Sequence, residues 1–173
     1  MIVFKHGDIF DTDCDTIVNT VNCVGVMGKG IALECKRRYS ALFKEYQQAC
    51  KKVLTHGGDL YFWHNSMIKA TLFGVPVHTD TRNILNFATK EHWKNPSRIE
   101  WIERGLRTFT SVCDSESDKG KWWEGLYWYE LFKIQSIAFP KLGCSNGGLD
   151  WEEVKPLMIK YLNDIPLYCE VYE

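Results

Sequence analysis

A glycine-rich loop near the N-terminus has the residue types of a phosphate-binding site. Gly25, Gly28 and Gly30 follow a short apolar run, residues 16–21, and precede a segment with helical spacing, residues 31–39. Glycines let a backbone turn tightly and approach a ligand, and free amides at the start of a helix favour an anion. The pattern predicts a strand, a phosphate-binding loop and a helix, although a tight turn without a ligand would share it.

A second glycine loop, residues 143–148, favours the phosphate-binding interpretation. It follows an apolar run, residues 134–139, and precedes a helical segment, residues 151–162. The glycine spacing of the first loop fits neither the GxGxxG fingerprint of dinucleotide-binding folds nor the GxxxxGK[ST] of the Walker loop. The two loops therefore predict an anion site of another kind.

Composition sets bounds on the class of protein. The 173 residues are most simply one domain, and 21 Lys and Arg against 22 Asp and Glu leave no overall basic charge for nucleic acid. No run is long and apolar enough for a membrane span, and the N-terminus lacks the layout of a secretory signal. We therefore expect a cytoplasmic protein with no membrane contact.

The cysteines have no zinc-binding spacing. Seven of them are spread along the chain with no CxxC pair, which is typical of reduced thiols in a cytosolic protein and predicts no metal site. Cys23 and Cys144 lie in the two glycine regions, where each is either a small packing residue or a nucleophile. No base is placed beside either cysteine by the sequence, so packing is favoured.

Strands alternate with helices along the chain, which predicts an α/β fold with a sheet between helical layers and both glycine loops facing one cleft. Strand patterns cover residues 2–4, 16–21, 60–63, 71–77, 83–87, 134–139 and 167–172. Helical patterns cover residues 30–39, 41–53, a segment from Ser97 to about Val112, and residues 151–162.

Three segments outside these patterns carry further interpretations. Residues 89–94 read as a polar loop that follows a buried strand, a common position for functional residues. Ser97 with Glu100, and Asp150 with Glu153, have the spacing of helix capping boxes. Residues 114–132 begin as a polar loop and become rich in aromatic residues, including Trp122, Trp123 and Trp128, which would either pack in the core or stack on bases.

Four blocks of the sequence, in order, resemble the macro domain family. They are GDI, VNTVNCVGVMGKGIA, NFATKEHW and IAFPKLGCSNGGLDW. More narrowly, they resemble the macro domains of the DarG antitoxins, which remove the ADP-ribose that the DarT toxin attaches to thymidine in DNA. The resemblance implies a three-layer α/β/α sandwich with a mixed central sheet, formed by residues 1–173 as a single macro domain with an insertion at 114–132.

The resemblance also implies a role for each matched residue. Asp8 would hydrogen-bond the adenine amino group. The catalytic residues would be Asn22, which orients the distal ribose, and Lys90, which acts as a nucleophile or as an acid or base. His92 and Trp93 are candidates for nucleic-acid contact. The substrate-binding residues implied are Asp8, Ile9, Gly25, Val26, Met27, Gly28, Lys29, Gly30, Ile31, Gly143, Cys144, Ser145, Asn146, Gly147 and Gly148.

The expected function is therefore an ADP-ribosyl glycohydrolase acting on modified DNA, with ADP-ribose as ligand and product and no cofactor. A DarT-like toxin would be its functional counterpart, and we expect a monomer. Alternatives are a reader that binds ADP-ribose without turnover, a hydrolase of ADP-ribosylated protein, or a phosphatase acting on ADP-ribose 1″-phosphate. A related hydrolase of glutamate-linked ADP-ribose has an acid where this chain has Gly147, which weakens the assignment to modified protein.

Overall fold

The computed structural model describes residues 1–65, 71–72, 75–76, 80–113 and 134–173. Within these ranges, six strands form one sheet in the order β1-β8-β7-β2-β6-β3, and neighbouring strands are parallel except β3, which runs antiparallel to β6. The strands of this sheet are β1 (Ile2–Lys5), β2 (Thr16–Asn22), β3 (Leu60–Trp63), β6 (Asn83–Lys90), β7 (Ser136–Pro140) and β8 (Tyr168–Tyr172).

Helices cover both faces of the sheet. They are α1 (Gly30–Arg38), α2 (Leu42–Ala49), α3 (Ile99–Cys113) and α4 (Trp151–Leu162). One apolar cluster joins α1 and α2 to one face of the sheet, and a second cluster joins α3 and α4 to the other face. The central strands β2 and β6 are buried along nearly their whole length because helices cover both of their faces. The predicted three-layer α/β/α sandwich with a mixed sheet is confirmed.

Two predicted elements have different bounds in the structure. The helix expected over residues 41–53 ends at Ala49. Beyond it the chain makes tighter turns, in which the Lys51 amide donates to Gln48 O at 3.1 Å and the Lys52 amide donates to Ala49 O at 3.1 Å. In the segment expected as one strand, residues 71–77, the structure describes two short strands that pair antiparallel, β4 (Thr71–Leu72) and β5 (Val75–Pro76).

The polar loop expected at residues 89–94 begins later than predicted. Thr89 and Lys90 are the last two residues of β6, and the loop itself begins at Glu91. Thr89 is only 4% exposed because the strand continues between its neighbours up to the edge of the sheet. The polarity of these two residues marks the end of a strand, at the edge where parallel α/β sheets bind ligands.

Asp150 is the N-cap of its helix as predicted, whereas the predicted cap at Ser97 is wrong. Asp150 caps α4, and its carboxylate accepts a hydrogen bond from the Glu152 amide at 3.0 Å. Ser97 does not cap α3, which begins at Ile99. Its amide donates to Gly147 O at 2.9 Å, and its buried hydroxyl has no hydrogen-bond partner among the described residues. Ser97 packs beneath the second glycine loop instead.

The aromatic-rich insertion predicted at residues 114–132, with Trp122, Trp123 and Trp128, lies outside the described residues. Among the helices that the structure describes, none is long and apolar enough to cross a bilayer.

A short 3-10 helix (Ile9–Asp11) follows β1. Arg82 holds this segment against the body of the domain, since it donates to the carbonyls of Phe10 at 2.8 Å and Thr12 at 3.1 Å.

Candidate active site

A cavity of about 670 Å³ lies at the carboxyl ends of the parallel strands β2, β6 and β7. Two loops form its walls: loop 1, residues 23–29, between β2 and α1, and loop 2, residues 141–150, between β7 and α4. It is lined by Thr20, Val21, Asn22, Val26, Gly28, Lys29, Gly30, Ile31, Ala32, Thr89, Lys90, Trp93, Lys94, Pro140, Lys141, Gly143, Ser145, Asn146 and Gly147. The two glycine regions therefore face one cleft, as the sequence predicts.

The cavity gathers most of the residues singled out from the sequence, but not all of them. Those in its lining are Asn22, Val26, Gly28, Lys29, Gly30, Ile31, Lys90, Trp93, Gly143, Ser145, Asn146 and Gly147. Those outside the lining are Asp8, Ile9, Gly25, Met27, His92, Cys144 and Gly148. Met27 is buried and only 2% exposed, so it packs behind loop 1.

Asp8 and Ile9 lie at the carboxyl end of β1, away from the cavity wall. The Asp8 side chain caps the 3-10 helix by accepting from the Phe10 amide at 2.9 Å, which is the ordinary turn-stabilising use of aspartate. Asp8 is exposed, whereas Ile9 is buried. The structure thus gives Asp8 a local structural role and leaves its predicted contact with adenine a prediction.

A break in strand register sets the two predicted catalytic residues opposite each other. Val21 pairs with Ala88, but the next residue, Asn22, pairs with Lys90, so Thr89 is the extra residue of a bulge. Bulges are commonly found beside active sites, where they redirect side chains. The Cys23 amide donates to Glu91 O at 3.0 Å just beyond this point, which fixes the start of loop 1 to the end of β6.

The Asn22 side chain organises loop 1. Its Nδ2 donates to Val26 O at 2.6 Å, and its Oδ1 accepts from the amides of Val24 at 3.1 Å and Val26 at 3.3 Å. The hydroxyl of Tyr46, buried on α2, donates to the Asn22 carbonyl at 2.6 Å. Asn22 is thus committed to holding the loop, and any contact with a ribose would add to these bonds. Tyr46 could not be identified from the sequence, since helical spacing predicts only its burial.

Lys90 spans the cleft between the two walls. Its Nζ donates to the backbone carbonyl of Asn146 in loop 2. Burial lowers the pKa of Lys90 below its ordinary value of 10.5 because the charged ammonium loses solvation. A bond to a carbonyl needs only an N–H, which both the ammonium ion and the neutral amine possess. Lys90 is therefore a partly desolvated amine beside Asn22.

Loop 2 has no room for larger side chains at its critical glycines. A Cβ at Gly147 would lie 2.0 Å from the Gly143 carbonyl oxygen and 2.4 Å from Ser97 Oγ. Gly143 itself has a φ of +72°, a conformation that favours glycine. An acidic side chain at position 147 would therefore require loop 2 to rearrange. Ser97 packs directly against Gly147 and limits the space there.

The thiols near the two loops are not poised as nucleophiles. Burial raises the pKa of Cys23 to about 12 and the pKa of Cys144 to about 11, so both are protonated at neutral pH. Cys23 Sγ lies 3.4 Å from Lys90 O, its hydrogen-bond acceptor. The geometry supports the packing interpretation for both residues. Within the described ranges, no group of three or more histidine, cysteine or acidic residues is placed to hold a metal ion.

Four lysines give the cavity a positive lining. They are Lys29, Lys90, Lys94 and Lys141, and among the described residues that line the cavity none is acidic. The N-terminus of α1 opens onto the same space at Gly30, where its free amides favour an anion. Lys94 and Lys141 were not singled out from the sequence, because the net charge of −1 hides a local cluster. Lys94 directly follows the matched block NFATKEHW and Lys141 lies within the block IAFPKLGCSNGGLDW, and these positions were the only available signal.

This arrangement of a mixed sheet between helical layers, with two glycine loops around a cleft at the strand ends, defines a macro domain. The macro domain family model matches residues 18–158, and the chain belongs to that family. It is 37% identical over 166 residues, 96% of its length, to a protein of Mycobacterium tuberculosis named DNA ADP-ribosyl glycohydrolase, of which it covers 40%. The chain thus spans less than half the length of that relative.

Solved structures give the same assignment. The macrodomain of Thermus aquaticus DarG is similar with a TM-score of 0.76 and 33% identity, over 100% of this chain and 98% of that one. Thermosipho africanus DarTG in complex with ADP-ribose is similar with a TM-score of 0.76 and 34% identity, over 99% of this chain and 41% of that one. The identity in both cases exceeds what a shared fold alone would require.

Proposed function

We propose that this domain is an ADP-ribosyl glycohydrolase that removes ADP-ribose from modified DNA. The observation that carries the proposal is the position of Lys90, which lines the cavity opposite Asn22 and between the two glycine loops. The names of the Mycobacterium tuberculosis relative and of the Thermosipho africanus complex support it. An anion-binding cleft alone would suit a protein that only binds ADP-ribose equally well, whereas a partly desolvated amine in the cleft favours an enzyme.

The chemistry follows from the linkage to be broken. The attachment carbon of ADP-ribose is an aldehyde equivalent once its ring opens, so an amine beside it acts as a nucleophile or as an acid and base. The amides of loop 1, loop 2 and the α1 N-terminus would hold the doubly anionic diphosphate, and Lys29 would add positive charge. No step of this chemistry calls for a cofactor or a metal.

The acceptor and the biological setting belong to the same proposal. Thymidine in DNA is the acceptor that the resemblance implies, and a DarT-like toxin would be the source of the modification. The packing around Gly147 opposes an acid at the position where a related glutamate-specific hydrolase has one. Free thiols such as Cys23 and Cys144 suit a reducing compartment, so we propose the cytoplasm as the location of the reaction. We further propose that the domain acts as a monomer.

The test is hydrolysis of an oligonucleotide carrying ADP-ribosylated thymidine. Lys90→Ala should lower the turnover rate by about a hundredfold or more. Its affinity for free ADP-ribose should stay close to that of wild type, because the two loops hold the diphosphate. Lys52→Ala, an exposed lysine outside the cavity lining, is the matched control and should behave as wild type.

Parallel assays separate the alternatives. Glutamate-modified protein and ADP-ribose 1″-phosphate are offered under the same conditions, and release of ADP-ribose or of phosphate is measured. Binding of ADP-ribose without turnover of any substrate would make the domain a reader. Turnover of either alternative substrate in place of modified DNA would contradict the assigned acceptor.

A further inference from the structure

A tight turn places Trp93 at the mouth of the cavity. The Asn95 amide donates to the His92 carbonyl at 3.1 Å, and the Lys94 amide donates to His92 Nδ1 at 3.2 Å, so residues 92–95 form a turn with Trp93 and Lys94 at its tip. Both tip residues line the cavity. The turn begins two residues after Lys90, and Lys90 and Trp93 line the same cavity.

The indole of Trp93 is ordered but half exposed. Its ring stacks on the His92 ring with centroids 5.6 Å apart and an interplanar angle of 26°, and Lys94 Nζ lies 5.1 Å from its centroid. Yet 49% of the residue is exposed. A large apolar ring held in one orientation and left open to solvent is the usual platform for stacking a nucleobase.

The charges around this ring favour a phosphate backbone. Lys94 stands beside Trp93, and Lys141 lies at the start of loop 2 in the same cavity lining. The acidic neighbour, Glu91, is not part of the cavity lining, and its Oε1 accepts a hydrogen bond from the Gly57 amide at 3.4 Å. An aromatic platform flanked by lysines is the arrangement that proteins use for single-stranded nucleic acid.

We propose that the Trp93 turn is a docking surface for the nucleic-acid strand that carries the modification. A base next to the modified nucleotide stacks on Trp93, and phosphates on either side pair with Lys94 and Lys141. This inference rests on the proposed function and adds to it a second binding surface in the same cavity, formed by the Trp93 turn and Lys141, that recognises the acceptor. It assigns the preference for nucleic acid over protein to this turn.

The experiment compares two substrates that share the scissile bond. One is ADP-ribosylated thymidine as a free nucleoside, and the other is the same nucleoside within a single-stranded oligonucleotide. Trp93→Ala should lower kcat/KM for the oligonucleotide by at least about fivefold more than for the nucleoside, the factor expected from one lost base stack. Trp93→Phe should restore part of the difference, since it keeps an aromatic face.

Salt dependence tests the lysines. The slope of log KM for the oligonucleotide against log salt concentration should fall by about 0.7 in Lys94→Ala, one phosphate contact on a single strand. Lys52→Ala, which alters an exposed lysine away from the cavity, should leave this slope unchanged. An equal decrease of the slope in Lys94→Ala and Lys52→Ala would mean that only the total charge of the protein matters, and this result would overturn the proposal.

The remaining outcomes are distinguishable. Equal loss on both substrates in Trp93→Ala would overturn the docking surface and make Trp93 part of the ADP-ribose pocket. A larger loss on a modified peptide than on the oligonucleotide would assign the turn to a protein acceptor. If wild type hydrolyses neither substrate, the proposed function fails, and the affinities of wild type and Trp93→Ala for modified oligonucleotide and for free ADP-ribose still decide whether the strand adds binding energy through Trp93.

Discussion

Lys90 combines two properties that a catalytic amine needs, a lowered pKa and a fixed direction. Burial supplies the first, and the Asn146 carbonyl supplies the second by accepting its N–H. The bulge at Thr89 places Asn22 directly opposite it. Because Asn22 is already bonded within loop 1, we infer that it fixes the geometry around Lys90 and does not itself exchange protons.

The pH dependence of turnover should report the protonation of Lys90. A lysine acting as nucleophile or base must be neutral, so kcat should rise with pH and level off near a pKa that burial sets below 10.5. Lys90→Arg should lose both the activity and the rise, because arginine stays protonated at every pH used. The measurement is a pH–rate profile with saturating modified DNA.

Two results would contradict this. A rate that falls through the same pH range would mean that the ammonium form acts as the acid. Wild-type turnover in Lys90→Arg would reduce Lys90 to a positive charge that holds a phosphate. The Asn146 carbonyl bond is compatible with each case, so it does not prejudge the profile.

At this scale the sequence singled out Lys90, the proposed catalytic residue, but not its surroundings. Lys90 was found by its matched block, and both glycine loops by their spacing. The opposition of Asn22 and Lys90 depends on one extra residue in a strand, which no periodicity reveals. Cys23 and Cys144 were correctly interpreted as packing residues, because a lone cysteine without a neighbouring base seldom has the lowered pKa of a nucleophile.

Among the elements, loop 2 is held by packing that tolerates almost no added volume. Gly147→Ala would bring a methyl group within 2.0 Å of the Gly143 carbonyl oxygen, so the loop must shift. Overpacking of this kind costs about 1–3 kcal/mol, or about 2–12 °C in Tm for a domain of this size. We expect that loss together with weaker ADP-ribose binding, measured by thermal unfolding and calorimetry.

Gly28→Ala in loop 1 is the matched control for steric effects. A Cβ at Gly28 meets only Val26 Cγ1, at an ordinary 3.7 Å, so its Tm should change little. An unchanged Tm and an unchanged affinity in Gly147→Ala would show that loop 2 adapts freely, contrary to the packing beneath it.

The elements themselves were predictable where one signal dominated. The bounds of α4 followed from the Asp150 cap and its apolar spacing, and β2 followed from a buried run. The end of β6 was missed because Thr89 and Lys90 are polar, and the Ser97 cap was wrong because the serine faces loop 2. In both wrong predictions, a tertiary contact at the site determined the local structure, and the local sequence pattern does not reveal such contacts.

For the whole molecule, the central prediction is stabilisation by ADP-ribose. A ligand that binds only the folded state, at a concentration a hundredfold above its dissociation constant, raises the free energy of unfolding by about 2.7 kcal/mol. For a domain of this size, this corresponds to a rise in Tm of about 5–11 °C. The shift should persist in Lys90→Ala, because the two glycine loops remain. It is measured by thermal unfolding with increasing ADP-ribose, and no shift at millimolar ligand would contradict an ADP-ribose cleft.

The order of strands in the sheet has a consequence for the kinetics of folding. β1 lies at one edge and pairs only with β8, where Val3 stands opposite Glu170 and the N-terminal amine donates to Leu167 O, 166 residues along the chain. Closing so long a loop is entropically costly and slows folding. At ribosomal rates this separation corresponds to about 8–33 s of synthesis. β1 is therefore synthesised before every other strand of the sheet, while its one neighbour, β8, is synthesised after all of them.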